Sequence, residues 1–255
     1  MDQIIVIKVG TGVLTRAEDA TLDGAALLRL VNAIAQNVGS HGKCILVSSG
    51  AVGAGITAFG LTEYPRELAT KQAVSAVGQT RLMHAYENLF AHFRINVAQL
   101  LRTADDFRDE ERRGNTKATL QRLLDEPAVV PIVNQNDSVA FHNYCVGDND
   151  MLAVRVAELV KADKLIIFSS IDGLYGAGDI GGEVIPVVDD IDSVMDFAED
   201  ETARMSMGGM QAKLLAVKRA VGSGIETCIA NGREPERLKD ILAGGGICTR
   251  FTVKK

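Results

Sequence analysis

Aliphatic runs of four to six residues, bounded by turn formers, recur along this chain. Ile4-Ile5-Val6-Ile7, Cys44-Ile45-Leu46-Val47, Ala128 to Val133 and Leu165-Ile166-Ile167-Phe168 contain no polar position. Strands that are apolar on both faces belong to parallel sheets covered by helices. Between these runs the period becomes helical. Leu27, Leu30, Val31, Ile34 and Val38 mark one face of a helix over Asp23 to Val38. Tyr86, Leu89, Phe90 and Phe93 mark a stripe on a helix over Gln72 to Phe93. Further helices are predicted near Asn115 to Leu124, behind a charged patch at Asp105 to Arg113, and at Asp148 to Val160, Ile191 to Ala198, within Gly208 to Gly222 and at Glu236 to Ala243. Strands are predicted at Asn96 to Leu101, Glu183 to Val188, Ile225 to Ala230 and Thr249 to Val253, with a small hairpin at Ala140 to Val146. Gly173 to Gly182 holds five glycines and reads as a loop. Alternating strands and helices predict an α/β fold, a three-layer αβα sandwich with a mainly parallel central sheet. The expectation is a single domain over 1–255, with a soft boundary near Lys161 to Lys164 between lobes of roughly 1–162 and 163–255.

The polar residues that interrupt this pattern carry the candidate chemistry. Val133-Asn134-Gln135-Asn136-Asp137 ends one apolar run, and Gly147-Asp148-Asn149-Asp150 opens another, helix-like one. Groups at a strand's end and a helix's start converge on one pocket in open α/β sheets. Carboxylates beside amides suit a small zwitterion, with acids for an ammonium and amides for a carboxylate. Asp148 also fits a helix N-cap, and Asn136 fits a turn better than a binding role. Lys8 directly follows four aliphatic residues in a presumed central strand, where a solvated lysine is unexpected.

Three glycine-bearing turns suit phosphate. Lys8-Val9-Gly10-Thr11-Gly12 sets a lysine beside bare backbone amides. Ser48-Ser49-Gly50-Ala51 enters a helix. Met207-Gly208-Gly209-Met210-Gln211-Ala212-Lys213 sets a glycine pair at a helix start and a lysine about one turn later. The G-x-x-x-x-G-K-[ST] loop is absent, and Gly10-Thr11-Gly12 lacks the third glycine of the dinucleotide fingerprint, because Thr15 stands there.

Composition narrows the class. With 255 residues, 47% apolar and 24% charged, the chain is an ordinary soluble enzyme in make-up. A net charge of −6 argues against nucleic acid as the main partner. No apolar run approaches the roughly 20 residues of a membrane span, and the amino terminus does not read as a secretory signal. Cys44, Cys145, Cys228 and Cys248 are far apart in sequence and form no CxxC pair, which predicts reduced thiols in a cytoplasmic protein. His41, His84, His92 and His142 show no metal-ligand spacing with them, so no protein-bound metal site is expected.

Taken together, Lys8-Val9-Gly10-Thr11, Ser49-Gly50-Ala51, Lys71-Gln72 with Ala76-Val77-Gly78-Gln79, Asn134-Gln135-Asn136-Asp137, Gly147-Asp148-Asn149-Asp150, Gly173-Leu174-Tyr175 and Gly208-Gly209-Met210 with Lys213 resemble the amino acid kinase family, in the family's order. The two acid/amide motifs are similar to the branch that phosphorylates glutamate. The resemblance implies transfer of the ATP γ-phosphoryl to the side-chain carboxylate of L-glutamate, giving L-glutamyl 5-phosphate in the first step of proline biosynthesis. It implies Mg²⁺ carried mainly by the nucleotide phosphates, a homo-oligomer (dimer or tetramer) and feedback inhibition by proline. By matched position, Lys8 and Lys213 flank the transferring phosphoryl and Asp150 orients them. Ser49, Asn134, Asp137, Asp148 and Asn149 bind glutamate. Lys8, Gly10, Ser169, Ser170 and Met207, Gly208, Gly209, Met210, Gln211, Ala212 and Lys213 line the ATP site. The amino-terminal lobe would take the amino acid and the carboxy-terminal lobe the nucleotide.

The pattern departs from the family at Ser170, where relatives carry an acid, and at Gln135, where they carry a glutamate. It also lacks an Asp-Pro after Gly173-Leu174-Tyr175. Many relatives add a carboxy-terminal PUA domain; this chain reads as the kinase domain alone. Other readings are a kinase of acetylglutamate, aspartate or a small phosphate, and a catalytically weak protein that senses glutamate or proline.

Overall fold

The computed structural model describes residues 3–38, 42–139, 148–176, 182–198 and 209–253, except the side chains of 148 and 196–198. In chain order the elements are β1 (Gln3–Val9), α1 (Thr11–Leu14), α2 (Gly24–Val38), β2 (Gly42–Ser48), α3 (Ala51–Gly55), α4 (Leu68–Ala91), β3 (Asn96–Arg102), α5 (Glu110–Leu124), β4 (Val129–Gln135), α6 (Asp148–Val160), β5 (Lys164–Ser169), β6 (Val187–Val188), α7 (Met210–Gly222), β7 (Glu226–Asn231), α8 (Leu238–Leu242) and β8 (Thr249–Phe251). The expected hairpin at Ala140 to Val146 lies outside the described residues.

All eight strands join one sheet in the order β3-β4-β2-β1-β5-β7-β8-β6. Pairing is parallel except between β7 and β8. The chain builds β2, β3 and β4 on one side of β1, then crosses to place β5 on the other. Register aligns the strand ends: Val9 lies opposite Ser48 and Phe168, and Ser169 opposite Asn231. The crevice beside a strand where the chain reverses direction is where such sheets bind ligands.

Alternation along each strand divides the core. Ile5, Ile7 and Val9 pack with Leu27, Leu82, Tyr86 and Leu238, so α1, α2, α4 and α8 cover one face. Val6, Ile45 and Ile167 pack with Leu120, Val154 and Leu214, so α5, α6 and α7 cover the other. The three layers predicted from the apolar runs are therefore present. Cys44, Cys228 and Cys248 are buried free thiols. No described helix is long and apolar enough to cross a membrane.

Several boundaries differ from expectation. Helix α4 ends at Ala91, so Phe93 falls off the Tyr86–Phe90 stripe and is exposed. Helix α5 starts at Glu110, inside the charged patch, because Asp109 caps it by accepting from Arg112 N at 2.8 Å. Glu110 and Glu111 then sit in its first turn, where acids favour the helix dipole. Of Glu183 to Val188 only Val187 and Val188 are strand, with an isolated bridge between Tyr175 and Val184. Ile191–Ala198 is a 3₁₀ helix.

Candidate active site

Strand parity decides where Lys8 goes. Two residues on from Val6, it projects on the α6/α7 face, at the end of the central strand. There Lys8 Nζ lies 2.5 Å from Asp150 Oδ1, and Lys213 Nζ lies 3.9 Å from Asp150 Oδ2. The Lys8 contact is an ion pair without the alignment of a hydrogen bond. Lys8 is 5% exposed, Lys213 7% and Asp150 1%, so three charges sit where water screens them little. Two cations thus share one buried anion.

Gly10 supports this cluster in an unexpected way. Its N–H donates to Phe168 O at 3.2 Å, tying β1 to β5, so it is not one of the bare amides predicted from sequence. Its contribution is space: a Cβ there would lie 3.4 Å from Lys8 Nζ. The N–H groups without an intrahelical partner are those of Thr11 and Gly12, at the start of α1.

Asn149, one residue before Asp150, turns toward the other face of the crevice. Its Nδ2 donates to Ser49 Oγ at 2.9 Å, Asn134 Oδ1 at 3.1 Å and Ser48 O at 3.2 Å. Asn134 Nδ2 donates onward to Gln79 Oε1 at 2.8 Å. Asn134 and Gln79 in this row are buried and Asn149 is partly buried; among the described residues two polar atoms at its ends, Asn149 Oδ1 and Gln79 Nε2, have no hydrogen-bond partner. One is an acceptor and the other a donor. A buried unpaired polar atom costs about 1–3 kcal/mol, so both atoms are poised for a ligand that carries complementary groups.

Asp137 is tied to α4 through Ser75, one turn before Gln79. Its Oδ2 accepts from Ser75 Oγ at 2.7 Å. Burial holds its carboxyl above the usual carboxylate range, against the opposing effects of the Ser75 hydrogen bond and the Lys71 charge. Tyr64, whose ring lies 5.7 Å from Lys71 Nζ, is pushed up to about 12, first by burial and then by the Asp137 charge. Asn136 makes a turn: its Oδ1 accepts from Ser138 Oγ at 2.6 Å, as the turn reading expected.

Gln79 lies within a stretch that carries the family resemblance and Ser75 directly precedes it, yet neither is expected at the site from the sequence. Both are buried on α4, one turn apart. The signal was present as polar positions Lys71, Ser75 and Gln79 at four-residue spacing, along the stripe that continues to Leu82 and Tyr86.

On the carboxy-terminal side, Ser169 is buried and its carbonyl accepts from Gly232 N at 2.8 Å, whereas Ser170 is exposed. The acid that Ser170 lacks occurs two positions on, at Asp172, where Asn231 Nδ2 and Arg237 Nη1 donate to it at 3.2 and 3.3 Å. Gly209 is the N-cap of α7. Met210 packs into the core and Gln211 is exposed, with Ala212 between those extremes. Met207 and Gly208 lie outside the described residues, as does the side chain of Asp148.

The Amino acid kinase family model matches residues 3–231. The chain belongs to the amino acid kinase family. This kinase is 42% identical over 251 residues to a glutamate 5-kinase of Symbiobacterium thermophilum, a match spanning 97% of this chain and 95% of that one. It is 39% identical over 254 residues to a glutamate 5-kinase of a Synechocystis species, covering 98% of this chain and 68% of the relative. Among solved structures, a Giardia carbamate kinase superposes with a TM-score of 0.68 at 15% identity, covering 99% of each chain. That likeness speaks to the fold, and it agrees with the three layers described above.

Proposed function

We propose that this kinase transfers the γ-phosphoryl group of ATP to the side-chain carboxylate of L-glutamate, forming L-glutamyl 5-phosphate for proline biosynthesis. The observation that carries the proposal is the placement of Lys8 and Lys213 on opposite oxygens of Asp150, directly beside the amide row that begins at Asn149.

The nucleophile needs no general base, since a glutamate side chain with a reference pKa near 4.3 is ionised at pH 7. The difficulty is bringing a carboxylate against a triphosphate. Lys8 and Lys213 supply positive charge where negative charge accumulates, and Asp150 keeps both lysines in position. Asp150 is unsuited to touching phosphate itself, because like charges repel. Gln79 Nε2 and Asn149 Oδ1 offer a donor and an acceptor to the substrate's polar groups, and Asp137 offers a carboxylate to its ammonium. Ser49 and Asn134 hold Asn149 in line. Asp148 is proposed to join them at the glutamate. On the nucleotide side, residues 163–255 contribute Ser169, Ser170 and the Met207 to Lys213 segment, while residues 1–162 form the amino-acid side.

Mg²⁺ is proposed to arrive on the nucleotide and to neutralise phosphate charge. Among the described residues no three His, Cys, Asp or Glu side chains converge to hold a metal, and Asp150 is already flanked by two ammonium groups. The resemblance extends the proposal to a homo-oligomer and to feedback by proline.

A coupled ADP-release assay with glutamate, aspartate and N-acetylglutamate tests the substrate. Turnover with glutamate alone supports the proposal. N-Acetylglutamate lacks an ammonium for Asp137, so turnover with it in preference to glutamate would defeat the assignment.

A further inference from the structure

A second cavity, of about 730 Å³, opens between the segment preceding α5, α5 itself and the later turns of α6 and α7. None of Lys8, Asp150, Lys213, Asn134 or Asp137 lines it. It is an open groove, lined by exposed and half-buried side chains.

Its charge runs against that of the molecule. The chain carries −6 overall, yet six cationic side chains and only two acidic ones line this cavity. One of the acids, Glu158, accepts from Arg219 at 2.8 and 2.7 Å and from Ser223 at 2.8 Å, so Arg219 accounts for its charge. Arg155 stands 6.0 Å from the centre of the Phe107 ring, which sets its guanidinium at the wall. Arg108 is paired with Asp105 at 3.0 Å, outside the lining, while Arg113, Lys117 and Lys161 add positive charge that Glu110, the other lining acid, does not balance.

A second feature concerns the wall of this groove. Gly114 lines the cavity in the interior of α5, between Arg113 and Lys117. Glycine in a helix interior costs about 0.5–1 kcal/mol relative to alanine. At Gly114 no close approach requires it, since an added Cβ would meet nothing within 4 Å. What the missing side chain does is leave the cavity wall open between two cations.

We infer that this cavity binds a small polyanion whose charge is carried by two or more phosphate groups. Arginine forks match phosphate oxygens in pairs, and lysine adds point charge.

The test is calorimetric titration of the whole chain with inorganic pyrophosphate. Glutamate and a saturating Mg²⁺-bound, non-hydrolysable ATP analogue block the catalytic site. The expected result is one saturable equivalent. The double variant Arg113→Ala/Lys117→Ala should weaken it at least tenfold, and Gly114→Leu, which fills the opening with a helix-compatible side chain, should abolish it. Both variants should retain glutamate-dependent ADP release, which reports that they fold. No saturable binding in the wild type overturns the inference. So does binding of equal strength in the double variant, which places pyrophosphate elsewhere whether or not Gly114→Leu folds.

Discussion

Asp150 is the residue on which the site's electrostatics rests. It is 1% exposed and holds two lysines that are themselves nearly buried. Removing one partner of a buried ion pair costs about 3–5 kcal/mol, because the remaining charge stays desolvated. Asp150→Asn should therefore lose stability on that scale in urea unfolding, together with most of its turnover. Unchanged unfolding would mean that the lysines do not depend on it. Asp137 carries a different prediction. Its folded carboxyl is raised above its unfolded value, so the stability it contributes is present in acid and lost as pH rises through the raised value. Asp137→Asn should consequently be more stable than the wild type at pH 7 without substrate, and the difference should vanish in acid. With glutamate the sign should reverse, since the proposed contact with the ammonium needs the ionised form. The wild-type glutamate KM should climb as pH falls through the raised window, while that of Asp137→Asn stays high and flat. KM profiles of the two proteins from pH 4 to pH 8, paired with urea midpoints, check both halves.

Among the elements, the pairing of α3 with α4 shows what the sequence hid. A Cβ on Gly78 would sit 1.8 Å from Ala51 O, and one on Gly55 would sit 2.1 Å from Val74 O. These glycines let two helix backbones touch, and that contact carries Ser75 to Asp137 and Gln79 to Asn134. Read alone, a serine and a glutamine on a helix look like a solvated face, which is why neither was expected at the site. The predicted contrast lies between two helix glycines. Gly78→Ala strikes backbone that no rotamer change relieves and should cost about 3 kcal/mol or more. Gly114→Ala meets open space and should gain about 0.5–1 kcal/mol. Thermal unfolding of the two variants measures both, and equal shifts would contradict the account. The start of α5 was hidden differently. Its first turns are Glu110-Glu111-Arg112-Arg113, with no apolar periodicity to read, and only the Asp109 cap reveals the boundary.

At the scale of the molecule, much was legible because burial on both faces leaves strands with nothing polar in them. Ile4 to Ile7, Cys44 to Val47 and Leu165 to Phe168 therefore announced the central sheet, and the helices between them its two covering layers. The peripheral strands were foreseen but overrun: of the expected Glu183 to Val188 only the last two residues are strand, and β8 stops at Phe251 rather than Val253. Val187 and Val188 pair with β8 through tertiary placement, and nothing in the preceding residues marks where that pairing begins. The meeting of Lys8 with Lys213 was foreseen through resemblance. Its physical cause is strand parity, which sends Lys8 to the α6/α7 face, where Asp150 and Lys213 stand at the helix starts. The central claim is that these two lysines, gathered by one buried carboxylate, neutralise the phosphoryl group in flight and leave the grip on glutamate to the amide row. Steady-state ADP release by Lys213→Ala, analysed for kcat and glutamate KM separately, tests it most directly. The account predicts a kcat lower by about 100-fold or more with a glutamate KM within about threefold of wild type. Full turnover, or a loss confined to KM, would contradict it.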